Sequence, residues 1–203
     1  MDFGLLDPSG RLTRLWVVQE RLRNQASQDR DIAWDELASA AEAASAFQCF
    51  ICSNAPVFQA RCDMPCAIRQ YCASSGQAAP DTAGEIARCA FESLSLKYRS
   101  VLESLRNLTV RELRTIRMVG GGGLNAVLCQ MTADASGCQV VSSPSEASAL
   151  GNAMVQAMAI GHLADVRSGR LPLRNRGIAM WPMRPRCRSL PAAWTRPCAP
   201  PTT

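Results

Sequence analysis

Between Thr115 and Asn125, β-forming residues run straight into four consecutive glycines and then into a helical pattern. This unit limits the possible folds more than any other stretch of the chain. Thr115–Val119 reads as a strand, Gly120–Gly123 as a turn of bare backbone, and Asn125–Ala135 as a helix. Glycines there let a ligand approach the backbone with no Cβ in the way. The helix start behind them offers amide groups and the positive end of a dipole, both suited to phosphate. Taken alone, such a pattern is more often just a tight turn. No Lys-Ser/Thr pair follows it, and the G-x-G-x-x-G spacing with a later ribose-binding acid is not met. It is neither a Walker A loop nor a dinucleotide fingerprint.

The alternation continues downstream. Gly137 ends the helix as a residue able to take positive φ, and Gln139–Ser142 reads as a second short strand. Ser143-Pro144-Ser145-Glu146 is a helix start, with serine at the N-cap, proline at the first position and glutamate at the third. That helix runs to about Ile160 and stops at Gly161, with Met154 and Met158 read as core. Upstream the chain is mostly helical. Leu12–Leu22 and the alanine-rich Trp34–Phe47 have helical patterns, Phe50–Cys62 reads as an ordered loop, and Pro65–Ala73 as a short helix. Thr82–Leu105 is the best-marked helix: Thr82 and Glu85 form a capping box, and Ile86, Ala90, Leu94, Tyr98, Val101 and Leu105 share one face.

Charge is unevenly placed. Eight of the 22 basic residues, all arginine, follow Asp165 with no acid among them, which leaves 14 basic against 17 acidic residues before that point. A mildly acidic body argues against nucleic-acid binding. No run of 18 apolar residues is present, so no membrane-spanning helix is expected. The first 14 residues lack the apolar stretch of a signal peptide, which makes the cytoplasm the expected setting. Residues 167–203 are rich in Arg and Pro without apolar periodicity, and are expected to lack a stable fold.

Ten cysteines suggest metal before disulfides in a reducing compartment. Cys49-x2-Cys52-x9-Cys62-x3-Cys66 is a loose four-thiolate pattern without the turn glycines of a zinc ribbon, so no metal ligand is assigned. Cys72 and Cys89 read as neighbours on successive helices, reduced or bridged. Asp134 and Glu146 read as structural carboxylates, and His162 as a surface residue beside a helix C-terminus.

The motifs taken in order narrow the choice. Val119-Gly120-Gly121-Gly122-Gly123-Leu124-Asn125, Gln130, Ala133-Asp134-Ala135-Ser136-Gly137 and Pro144-Ser145-Glu146-Ala147-Ser148-Ala149-Leu150-Gly151-Asn152 closely resemble the closing segment of FGGY carbohydrate kinases. Leu15-Trp16 with Gln19, the Phe50-Ile51…Asn54…Pro56…Phe58 loop, Asp63-Met64-Pro65, and the Gly84-Glu85-Ile86 to Lys97-Tyr98 helix are similar to the rhamnulokinase-like branch. The resemblance covers about residues 13–166. It implies an α/β chain carrying an incomplete ribonuclease-H-like (actin-like ATPase) domain, helix-dominated with few strands, after an unmatched segment 1–12.

The resemblance further implies ATP with Mg2+ as the phosphoryl donor and a ketose such as L-rhamnulose as acceptor in the complete enzyme. It implies nucleotide contacts at Gln19, Gly120, Gly121, Gly122 and Asn125. Departures are that Gly123 stands where the family has serine, Ser143 where it has glycine, and Arg11 where it has a sugar-contacting asparagine. The family's catalytic aspartate and first phosphate-binding turn belong to an N-terminal half with no counterpart in this sequence, so no catalytic residue is assigned. The tail composition resembles an out-of-frame reading of GC-rich DNA, and both ends suggest a truncated or misread gene. Three readings follow: the nucleotide-binding half of a sugar kinase, inactive alone; a non-catalytic remnant; or a small zinc-stabilised binding module.

Overall fold

The computed structural model describes residues 34–53, 55–58, 63–109, 112–142, 147–165 and 179–183. Helix α1 spans Trp34–Ala43, α2 Met64–Ser74 and α3 Ala83–Thr109. Strand β1 (Thr115–Met118) leads through a 3-10 turn at Gly120–Leu124 into α4 (Ala126–Ser136). Then come β2 (Gln139–Ser142), α5 (Ala147–Ala159) and the short β3 (Ala179–Met180). The expected Leu12–Leu22 helix and the Ser143–Glu146 helix start lie outside the described residues.

Helix α3 organises the core. The capping box forms as its two residues dictate: Glu85 N–H donates to Thr82 Oγ1 at 3.2 Å, and Thr82 N–H donates to Glu85 Oε2 at 3.0 Å. The amides of Thr82 and Asp81, both donating to Oε2, hold the Glu85 carboxyl below its ordinary value. From Gly84 to Ser95 the helix is buried on almost every side, and further on it buries Val101 and Leu102. Such all-round burial marks a central helix. Leu37 and Ala41 of α1 lie in the same core as Ile86 and Phe91, and Leu128, Cys129 and Ala133 of α4 join it with Met118 and Val140 of the sheet. The buried hydroxyls of Ser95 and Thr132 lie 3.3 Å apart where α3 meets α4, and each also donates to a carbonyl of its own helix.

Helix α1 ends at Ala43, four residues short of the expected Phe47. Phe47 has φ 61°, a left-handed conformation that no helix continues through. Of the expected Phe50–Cys62 loop, residues 50–53 and 55–58 are described, with a 3-10 turn at Pro56–Phe58, and side chains take over the work of a hydrogen-bond ladder. Glu92 Oε2 accepts from Phe47 N–H at 2.9 Å. Gln77 accepts from Phe50 N–H at 2.8 Å and donates to Phe50 O at 3.0 Å. Ser93 Oγ accepts from Ile51 N–H at 3.0 Å. A loop inside a domain must satisfy its amides and carbonyls somehow, and here α3 and the α2–α3 connection do so.

Strands β1 and β2 pair in parallel, Thr115 with Gln139 through Met118 with Ser142, and α4 connects them. Strand β3 adds antiparallel to β2, Val140 opposite Met180. Residues 179–183 thus lie against the sheet, within the segment expected to lack a stable fold. Two residues of ladder and two bonds from α4 hold them: Gln130 Nε2 donates to Trp181 O at 3.0 Å, and Met183 N–H donates to Asp134 Oδ1 at 2.9 Å. An edge strand needs only a partner strand, not an apolar period of its own. The remainder of 167–203 is outside the described residues.

The helix stops fall where glycine permits them. Gly137 closes α4 at φ 66°, with its N–H on Ala133 O at 2.9 Å, and Gly161 follows α5 at φ 78°. Met154 and Met158, read as core, are only half-buried, and Val155 and Ile160 are exposed. Their helix carries the apolar pattern of a packed element, but none of its described side chains is buried. No helix among the described residues is long and apolar enough to cross a membrane.

Candidate functional site

The parallel pairing puts the C-terminal ends of β1 and β2 side by side, with Met118 opposite Ser142. Open α/β sheets bind ligands at this edge, where turns rather than strands face outward. The glycine turn sits on it. Val119 leads in with extended backbone (φ −114°, ψ 154°) and makes no capping bond from its side chain. Gly120–Leu124 then form a 3-10 turn, closed by Asn125 N–H donating to Gly122 O at 3.3 Å.

Of the residues expected to contact nucleotide, Gly120, Gly121 and Gly122 lie together in this turn, and Asn125 follows directly as the N-cap of α4. Asn125 Oδ1 accepts from Leu128 N–H at 2.9 Å. Its carboxamide oxygen thus works for the helix, while the NH2 group of the same side chain is by chemistry a donor toward a ligand. The amides of Ala126 and Val127, in the first turn, have no acceptor four residues back within the helix and lie at its positive end. Gln19 lies outside the described residues.

Three features of the turn were not read from the sequence. Val119 and Leu124, on either side of the glycines, are 62% and 71% exposed, an apolar pair next to bare backbone. Cys129 is buried beneath the turn, its Sγ 3.7 Å from Gly122 O, 3.9 Å from Gly123 O and 3.6 Å from Met118 Sδ. Burial pushes its thiol up, so it stays a neutral donor supporting the loop. The only signal for it was its place four residues after the cap, on the first inward turn of α4. Finally, Gly123 has a steric reason. A Cβ there would stand 2.9 Å from Met118 O and 3.4 Å from Ser142 Cβ, so the turn in this chain lies too close to the strand ends for the serine of the family pattern.

The acid nearest in sequence, Asp134, is engaged structurally. Its Oδ1 accepts from Gln130 Nε2 at 3.1 Å and from Met183 N–H. His162 lies just past α5, exposed, with its N–H donating to Ala157 O at 2.8 Å. The four-cysteine pattern is not what the described residues assemble. Cys49 is buried with Cys72 and Cys89, Cys66 is exposed, and Cys62 lies outside the described residues. The expected neighbours Cys72 and Cys89 do meet, and packing of the loop against α2 and α3 adds Cys49, 23 and 40 positions away from them.

Comparison with known proteins identifies the family of the chain. Residues 4–160 match the model of the FGGY family of carbohydrate kinases, C-terminal domain. The match starts nine residues ahead of the point where the resemblance was first legible. The chain is 43% identical over 166 residues to a rhamnulokinase of Bacteroides thetaiotaomicron, covering 82% of this chain and 33% of that protein. It is 40% identical over 158 residues to a rhamnulokinase of Enterococcus faecalis (77% and 31%), and 41% identical over 157 residues to one of Pectobacterium carotovorum (77% and 31%). The chain spans about a third of the length of these relatives. A ribonuclease-H-like, actin-like fold is what such a domain implies, and the helix-rich chain with its small three-stranded sheet is consistent with it. The chain belongs to the FGGY family of carbohydrate kinases, within the family's C-terminal domain.

Proposed function

We propose that this chain is the nucleotide-binding half of a rhamnulokinase-type sugar kinase, whose complete form transfers a phosphoryl group from ATP to a ketose such as L-rhamnulose. The observation that carries the reading is the bare turn at Gly120–Gly122, flanked by exposed Val119 and Leu124 and followed by the capped start of α4. These residues fit an adenine nucleotide. The exposed side chains of Val119 and Leu124 suit the base, glycine backbone without Cβ atoms allows close approach, and first-turn amides suit phosphate. ATP bound there would supply the phosphoryl group. This chain's own part is to seat the nucleotide at the sheet edge and to donate hydrogen bonds from Asn125 and the helix start. Among the described residues the one close grouping of His, Cys, Asp or Glu is the set of three thiols. Thiols are poor ligands for a hard ion such as Mg2+, which such a site would receive with the nucleotide phosphates.

Phosphoryl transfer also needs a base for the acceptor hydroxyl. Asp134 is tied to Gln130 and to Met183 N–H, and Glu92 to Arg88 and Phe47 N–H. No carboxylate of this chain is assigned as that base, and the chain alone is expected to bind ATP weakly and to phosphorylate no sugar. Amide shifts on ATP titration should cluster at Gly120–Asn125, and Gly121→Val, which puts a branched side chain into the approach, should lower affinity at least about tenfold, equivalent to roughly 1.4 kcal/mol. Equal binding by the valine variant, or shifts confined to other regions, would refute the site. ADP release with L-rhamnulose well above background would refute the division of labour between the two halves.

A further inference from the structure

The glycine turn is held from two sides. Beneath it lies Cys129 of α4, 2% exposed, with its Sγ 3.7 Å from Gly122 O and 3.9 Å from Gly123 O. Beside it lie the strand ends, where a Cβ on Gly123 would meet Met118 O at 2.9 Å and Ser142 Cβ at 3.4 Å. Met118 also touches the thiol below, its Sδ 3.6 Å from Cys129 Sγ. Two consecutive glycines therefore rest on a buried thiol and against the backbone of β1.

The two contacts act in opposite directions on any larger residue. The first obstacle to a Cβ at position 123 is a backbone carbonyl of a paired strand, which has no rotamer to change. A side chain there can be accommodated only by lifting the turn away from the sheet edge. Cys129 resists lifting. Carbonyls in the last turn of a helix lack amide partners within it, and the S–H of Cys129 faces two of them from inside.

We propose that Gly123 and Cys129 are positioning residues of the nucleotide turn: together they set how deep Gly120–Gly122 sit against the strand ends, and through that depth the affinity for ATP. The inference rests on the reading of this turn as the nucleotide site. Neither residue is given a contact with the nucleotide. Asn125 is tied to α4 by its bond from Leu128 N–H, so the amides at the helix start keep their place when the turn moves. A lifted turn would separate the glycine backbone from those amides, and one ligand could no longer meet both. The serine of the FGGY pattern at position 123 is thus the wrong residue for this chain.

The test titrates the full chain with ATP and follows amide shifts in Gly123→Ser, Cys129→Ala, Cys129→Ser and the double variant Gly123→Ser with Cys129→Ala. Gly123→Ser, although it restores the family's residue, should lower ATP affinity at least about fivefold, and Cys129→Ala by a similar factor. Cys129→Ser leaves nearly the same gap as alanine but keeps a donor toward the two carbonyls, and should recover most of the affinity. The double variant should bind no worse than the weaker single one, because a turn released by loss of the thiol is already free to lift. Without ATP, the variants should shift the amides of Gly120–Gly123 and leave those of Thr82–Ile86 in place, which separates a displaced turn from a loosened fold. Equal affinity in Gly123→Ser and the unsubstituted chain, equal losses in Cys129→Ala and Cys129→Ser, or losses that multiply in the double variant would each overturn the inference while the nucleotide site stands. If Gly123→Ser fails to fold, the comparison of Cys129→Ala with Cys129→Ser decides. Absence of ATP shifts at Gly120–Asn125 in the unsubstituted chain would refute the nucleotide reading itself, and this inference with it.

Discussion

Replacing Glu92 by alanine is expected to destabilise the chain by about 3 kcal/mol or more, the usual cost of removing one member of a buried ion pair. Glu92 is 4% exposed in the middle of α3, where a lone carboxylate would not persist. It has two partners. Oε1 receives Arg88 Nε at 2.8 Å and Oε2 receives Phe47 N–H at 2.9 Å. Arg88 reaches further, donating from Nη1 to Ala41 O at 3.0 Å and Glu42 O at 2.9 Å, the carbonyls that end α1. One carboxylate thus holds the end of α1 and the strained backbone of Phe47 against α3. Alanine would leave the Phe47 amide without its acceptor and Arg88 without its counter-charge.

Glutamine at the same position is expected to cost far less, on the order of 1 kcal/mol, because it keeps an acceptor for Phe47 and Arg88 keeps its two carbonyls. The pH dependence separates the two variants further. Burial pushes the Glu92 carboxyl above its ordinary 4.5, against the pull of Arg88 and of Phe47 N–H. An acid raised in the folded state binds its proton more tightly there than in the unfolded chain. Its contribution to stability is therefore full below pH 4.5 and is lost as pH rises from there through the raised value. Urea unfolding at a series of pH values should show this decline in the unsubstituted chain and a flatter profile in Glu92→Gln. A decline of the same size in the glutamine variant would mean that another group causes it.

The second large effect is expected at Gly84. Alanine is the better helix former by about 1 kcal/mol, so an exposed helical glycine normally gains from this change. At Gly84 a Cβ would stand 2.5 Å from Ala40 O, 2.8 Å from Ala40 C and 3.1 Å from Ala40 Cβ. The obstacle is the backbone of α1, which has no rotamer to change, so α1 and α3 must move apart. Overpacking of this kind costs roughly 1–3 kcal/mol, and a clash with backbone belongs at the upper end, so Gly84→Ala should destabilise by about 2 kcal/mol net. Gly151 in α5 is the internal control, since a Cβ there meets nothing within 4 Å. Gly151→Ala should stabilise by several tenths to about 1 kcal/mol. Thermal unfolding that moves both variants in the same direction would contradict the steric account.

Much of the local architecture was legible in the sequence because short-range chemistry fixes it. Thr82 and Glu85 sit three apart and can satisfy each other's amides in any context, and the Gly137 cap works in the same way. The strand, glycine turn and helix from Thr115 to Ser136 came out within one or two residues of their observed bounds. Asn125 was expected either near a nucleotide or serving helix amides, and the structure shows the second role without removing the first. Family membership was legible too, since the order of several glycine- and proline-marked motifs is rarely shared by chance.

What the sequence determined by itself is therefore the set of local elements, their caps and the bare-backbone turn, because each depends on residues within a few positions of one another. Tertiary structure alone decided three things. It chose Glu92, Gln77 and Ser93 as the partners of Phe47, Phe50 and Ile51, and it paired Ala179–Met180 with β2 from within a proline-rich tail. It also gathered Cys49 with Cys72 and Cys89 instead of Cys52 and Cys66. The physical reason is common to all three. Each depends on which face of α3, α2 or β2 a distant segment meets, and that is set by burial of the shared core and by satisfaction of backbone groups across it, neither of which leaves a spacing in the chain to be read.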